Sequence, residues 1–203
     1  MSEIRVTNII GETGLDAVNF TKGINVTSGV VTATSFSGNG ANLTGTGKLG
    51  NVVQTYRTSV FSETLATGAY SSAVMTASIT PSSTSSKILV LCTVHIATGS
   101  ATNGAMAQLQ RGGTPIGIGD ASGNRSRCTG AGMGSNAVSR MQSNVQMTFL
   151  DSPSSTSALS YTAHIKHGYA SNQIVYLNRE QSDSDQSSVG RSASSLTLME
   201  VLF

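Results

Sequence analysis

The run KILVLCTVHIA at residues 87–97 constrains this chain more than any other feature, because apolar side chains occupy both of its parities. Extended backbone sends successive side chains to opposite faces of a sheet. Ile88, Val90, Cys92, Val94 and Ile96 therefore line one face, while Leu89 and Leu91 make the other face partly apolar. A strand that is apolar on both sides belongs at the centre of a sheet or at a subunit interface.

Period-two patterning recurs at 52–60, 69–79, 105–110, 114–118, 143–150, 159–167, 173–177 and 196–203. Turn-rich pieces separate these runs, notably TPSSTSS at 80–86 and the segments 111–113, 120–135, 151–157 and 178–195. About eight or nine strands with hardly any helix signal is the pattern of a sandwich or jelly roll. In 159–167 the alternation predicts Leu159, Tyr161, Ala163 and Ile165 inside, with Ser160, Thr162, His164 and Lys166 on a half-exposed outer face. The closing run SLTLMEVLF lacks a polar tail, so it is expected to be paired in the sheet, and its truncation to be costly. Glu200 within it reads as an edge or interface carboxylate bonded to a partner such as an arginine of another strand.

Composition supports the β assignment. Only 11% of the 203 residues are charged, Trp is absent, and small hydroxyl side chains take the place of ions. Ser and Thr suit strands and turns and compete with the backbone inside helices. A net charge of +2 without a Lys/Arg cluster gives no field suited to nucleic acid. No apolar stretch approaches the ~18 residues of a spanning helix, and the start MSEIRVTNII is unlike a secretory signal, so a protein kept in a cytoplasm without membrane insertion is expected. Cys92 and Cys128 are too few for a disulfide framework.

Residues 1–50 differ from the rest. Short apolar pieces such as Ile4-Arg5-Val6, Ile24-Asn25-Val26 and Gly29-Val30-Val31 are set among Gly, Asn and Thr, and a single copy would expose Val30, Phe36 and their like. Winding against two further copies would bury them, which makes 1–50 a stem or anchor, with disorder as the alternative, and 51–203 a head domain. The whole is expected to be all-β: an extended stem, wound as a homotrimer, followed by a jelly-roll-like β-sandwich.

The segment SGVVTATSFSGNGANLTG at 28–45, and the blocks ITPSSTSSKILVLCTVHI, FLDSPSSTSALSYTAHIKHG and SSLTLMEVLF at 79–96, 149–168 and 194–203, carry a resemblance. They are similar to segments of tail-fibre and other virion structural proteins of tailed bacteriophages, particularly cyanophages and other marine phages. The resemblance implies a homotrimeric head on a stem that joins other virion proteins, assembled in the bacterial host cytoplasm and placed on the virion. It also implies attachment to a host cell-surface glycan, with a capsid decoration or head-fibre protein lacking receptor binding as the alternative. Long fibres have many stem repeats and this chain has barely one, so a short fibre or spike is expected.

Candidate residues follow. The loop at 112–134 is glycine-rich and holds Asn124, Arg125 and Arg127; with Tyr169 and Tyr176 these form a candidate receptor-binding set, and a purely structural loop is the equal alternative. Leu89, Leu91, His95, Phe36 and Val30 are the candidate trimer interface. His164 and His167 are three apart in one strand and point to opposite faces, so they do not chelate one ion. His95 reads as an interface hydrogen-bonding group, or as one third of an axial metal site. Cys92 reads as a buried hydrophobe, and Cys128 beside Arg127 as a thiol open to pKa lowering. Asp183 and Asp185 are spaced like the opening of a calcium loop but lack its glycine and closing glutamate; with Glu180 they form the one local acidic cluster that a glycan-cleaving enzyme would need. The chain is read as non-enzymatic, without cofactor or resident metal.

Overall fold

The computed structural model describes residues 49–99, 104–132 and 141–202. Val30, Phe36 and nearly all of the expected stem lie outside them. Among the described residues the protein is all-β, with two antiparallel sheets enclosing one apolar core.

In the first sheet, β8 (Ser143–Asp151) pairs with β4 (Lys87–Thr98) along nearly its whole length. The opposite edge of β4 is shared by two strands set end to end. There β11 (Ser194–Val201) takes Lys87–Thr93 and β10 (Gln173–Leu177) takes Ile96–Thr98. Outside them, β1 (Leu49–Arg57) pairs with β11 and β2 (Phe61–Leu65) pairs with β10. The second sheet runs β3 (Met75–Ile79), β9 (Leu159–His167) and β5 (Ala105–Arg111). Here too the last edge is divided, between β6 (Thr114–Ile116) and β7 (Gly130–Gly132).

β4 is central, as its two apolar faces require. Ile88, Val90, Cys92, Val94 and Ile96 are buried between the sheets with Leu109, Tyr161, Ile165, Leu177, Leu196 and Leu198. Burial pushes the Cys92 thiol up to about 12, so it behaves as a small hydrophobe. β11 is paired on both sides, as its apolar run predicts.

Several expectations need correction. The run at 69–79 becomes a strand only from Met75; ahead of it the chain follows β9 irregularly, through Ser71 N–H to Ile165 O and Val74 N–H to Ala163 O. The expected strand at 52–60 stops at Arg57 and is followed by β2, which the sequence pattern does not announce. β7 was likewise unforeseen, since Gly-Ala-Gly has no strand propensity. Its glycines answer to space instead: a Cβ at Gly130 would come within 2.8 Å of Val145 and one at Gly132 within 2.7 Å of Ser143, both on β8.

Dividing a sheet edge between two strands leaves backbone groups without partners at the junction. Asn178, fully buried with φ 59°, supplies them. Its N–H donates to His95 O, and its side-chain amide donates to Arg57 O at 2.8 Å and Ser59 O at 3.2 Å. The Ser194 hydroxyl donates to Asn178 Oδ1 and accepts from His95 N–H.

The two sheets are also tied by a buried carboxylate. Asp151 of β8 accepts at 2.6 Å both from Arg111 Nη1 of β5 and from the Tyr161 hydroxyl of β9. Burial and the hydrogen bond to Asp151 together raise the Tyr161 hydroxyl far above the usual tyrosine range.

Glu200 faces inward and is fully buried, and its partner is not an arginine. Ser82 donates both N–H and hydroxyl to Oε1 at 2.6 Å, and Asn51 N–H donates to Oε2 at 3.2 Å. A register irregularity between Leu49 and Val52 frees that N–H from the ladder, and a Cβ at Gly50 would collide with the carboxylate. Burial alone would raise the Glu200 carboxyl; the bonds from Ser82 and Asn51 outweigh it and hold the group below the usual carboxylate value.

Candidate functional site

Two surfaces stand out. The first is the outer face of the first sheet. Strand register sets Val52, Met199, Leu89 and Leu150 side by side across β1, β11, β4 and β8. Val52 is 54% and Leu150 45% exposed, and Leu91, one outward step along β4, is 37% exposed. The next row, Gln54–Thr197–Leu91–Thr148, is polar except for Leu91. An apolar band thus crosses a whole sheet on a chain that is otherwise rich in hydroxyls. His95 lies on this face two outward steps beyond Leu91, half buried, and its Nδ1 has no hydrogen-bond partner among the described residues.

The second is a cavity of about 260 Å³ on the outside of the second sheet, lined in part by Thr67, Asn124, Ser126, Lys166 and Tyr169. Lys166 departs from the half-exposed position expected of it. It points outward from β9, yet is only 6% exposed, because the 117–129 loop and Tyr70 lie over it. The Lys166 ammonium donates to Ser126 Oγ at 2.6 Å and sits 5.4 Å from the centre of the Tyr70 ring. Among the described residues it forms no ion pair with a carboxylate.

The covering loop is held by its own backbone. Arg127 O accepts from the Tyr70 hydroxyl and from Gln108 Nε2, and Thr129 Oγ1 bridges Leu109 N–H to Ile116 O. Gly117 and Gly123, at φ 59° and 55°, make the turns. Burial lowers the Lys166 ammonium below the ordinary lysine value, with nearby Cys128 opposing, and pushes the Tyr70 hydroxyl up to about 12, with Cys128 adding to it.

His167 forms part of the cavity wall and is neutral by its hydrogen bonds. Tyr169 N–H donates to its Nδ1, so the proton resides on Nε2, which donates to Leu65 O. His164 lies on the opposite face of β9, bonded to Thr162 and Ser71. The two histidines are separated, as their spacing requires.

Of the five candidate receptor residues, Asn124 and Tyr169 meet at the cavity. Arg125 and Arg127 do not join them: Arg125 donates to Ser122 and Arg127 Nε donates to Gly119 O at 2.7 Å, so both guanidinia serve their own loop. Tyr176 lies on the other sheet, with the Arg179 guanidinium 4.6 Å from its ring centre. The residue that pattern reading missed is Lys166, since a lysine at an outward position of an alternating strand looks like any solvated one.

The acidic cluster is dispersed. Asp183 is engaged by Arg191 at 2.7 Å and by Arg179 at 3.4 Å, ion pairs that brace a loop whose residues 183–188 are exposed. Glu180 is buried and accepts from Gly190 N–H. Asp183 and Asp185 line another cavity, of about 420 Å³, in which Glu180 takes no part. Among the described residues, no group of three or more His, Cys, Asp or Glu is placed to hold a metal ion.

No protein-family model matches the chain, and no curated protein matches it in sequence.

Proposed function

We propose that this chain is a structural protein of a tailed-bacteriophage virion, a short tail fibre or spike that assembles as a homotrimer and contributes to host-surface attachment. In this reading the jelly-roll-like sandwich is the outward head, and residues 1–50 join it to other virion proteins. The observation that carries the reading is the apolar band Val52–Met199–Leu89–Leu150 across four strands of a chain with few charges, its ends Val52 and Leu150 exposed and Met199 and Leu89 half buried. A band of this kind on the outer face of a sheet is suited to burial against further copies. Leu89, Leu91 and His95 would lie in that interface. Support for the jelly-roll arrangement is the pair of antiparallel sheets, each with divided outer edges.

The test is sedimentation of the full chain with Leu150→Glu and Val52→Asp variants. The reading expects wild type at three times the 20.8 kDa chain mass and the variants at single mass with an unchanged fold. A wild-type monomer at micromolar concentration would overturn the trimer. Labelled trimer binding to host cells supports attachment; saturable binding to fibreless capsids without cell binding supports the decoration alternative.

A further inference from the structure

We propose that the cavity beside Lys166 binds an acidic monosaccharide unit, with the sugar carboxylate on the Lys166 ammonium and the sugar ring against Tyr169. The inference deepens the attachment reading, on which it rests only for the source of the sugar.

Among the described residues no carboxylate compensates the Lys166 charge. An ammonium removed from water is costly unless paired, and side chains of this kind are almost never fully buried alone. Lys166 is 94% removed from solvent by its 6% exposure, with one hydroxyl, one aromatic ring and the Cys128 thiol as neighbours and no carboxylate among the described residues. Its remaining donors give an anion in the cavity two places to bond. The neighbouring His167 adds no charge, because both of its ring nitrogens are committed in the neutral form.

The charge available selects the class of anion. Neither Arg125 nor Arg127 lines the cavity, each being bonded within its own loop, so Lys166 is the one positive group among the lining residues. One ammonium balances a carboxylate; a phosphate dianion would be left half compensated. The rest of the lining selects a sugar. Tyr169 is 37% exposed and offers an aromatic surface, while Asn124, Thr67 and Ser126 offer amide and hydroxyl groups. A volume of about 260 Å³ suits one ring better than an extended chain.

Binding of methyl glucuronide, methyl glucoside and glucose 6-phosphate to the full chain is measured by calorimetry and saturation-transfer NMR, for wild type and for Lys166→Met, Tyr169→Ala and Tyr176→Ala. The glucuronide is expected to bind at least about tenfold more tightly than the other two. Lys166→Met should abolish that preference with the thermal midpoint unchanged or raised, since it removes a buried charge. Tyr169→Ala should weaken the sugars, and Tyr176→Ala should leave them unaffected. Equal binding of glucuronide and glucoside, equal binding of the phosphate, a preference that survives Lys166→Met, or no glucuronide binding at roughly 10 mM would overturn the proposal. Cell binding that persists undiminished in a Lys166→Met variant that has lost the glucuronide preference would overturn the cell surface as the source of the sugar and spare the attachment reading; a glucuronide preference without cell binding would overturn attachment and spare the cavity.

Discussion

The Ser194 hydroxyl donates to Asn178 Oδ1 at 2.6 Å, where β10 has ended and β11 begins along the same edge of β4. The pair closes a gap that the topology opens. Ser194 also takes the His95 N–H, and Asn178 takes the carbonyls of Arg57 and Ser59 from the neighbouring break between β1 and β2. One asparagine in the left-handed region thus serves two interruptions in adjacent strands.

Asn178→Ala should destabilise the protein by about 3 kcal/mol, because the carbonyls of Arg57 and Ser59 and the buried Ser194 hydroxyl all lose their partner. Asn178→Gly relieves the positive φ but leaves the same groups unpaired, so it should recover no more than ~1 kcal/mol of that loss. Denaturant unfolding of both variants measures the difference. Similar stability of Asn178→Ala and wild type would contradict the role assigned to this residue.

Asp151 joins the sheets through Arg111 and Tyr161, and the two contacts share one oxygen. Tyr161→Phe should cost about 1–2 kcal/mol, as the carboxylate retains its arginine, while Asp151→Ala should cost more by orphaning the buried tyrosine hydroxyl. A double-mutant cycle on 151 and 161 should give a coupling of about 1 kcal/mol or more. Additive effects would mean that the contact contributes nothing.

Glu200 sets the acid limb of stability. Its folded pKa lies below its unfolded value, so the native state binds fewer protons between the two and stability rises with pH there. The contribution is complete above the ordinary glutamate value of about 4.3 and is lost as pH falls through the lower folded value. Glu200→Gln should be less stable than wild type at neutral pH and show a shallower decline below pH ~4. Unfolding midpoints from pH 7 down to pH ~2.5 provide the check, and parallel curves would exclude Glu200 as the source.

Gly130→Ala should lower stability by about 1–3 kcal/mol, the usual cost of overpacking, because the added methyl meets Val145 and Met147 across the sandwich. Gly119→Ala, where nothing lies within 4 Å, is the matched control and should be near neutral. Thermal midpoints of the two variants separate a packing requirement at 130 from a general intolerance of substitution in this region.

The all-β architecture was legible in the chain because period-two patterning directly reports which side of a strand is buried. Lys87–Thr98 became the central strand, Leu159–His167 and Gln173–Leu177 matched their expected bounds, and Leu89 and Leu91 took the outer face. His164 and His167 separated for the same geometric reason. What patterning missed was decided by neighbours distant in sequence. β7 is a strand because it pairs with Ala105–Ala107 of β5, its glycines fit where β8 leaves no room for a Cβ, and Glu200 is buried because Ser82 and Asn51 are folded onto it. Lys166 is covered because a loop from another part of the chain crosses the sheet at Ser126. Alternation along a strand tells which face a side chain leaves from; only the packed chain determines what meets it on that face.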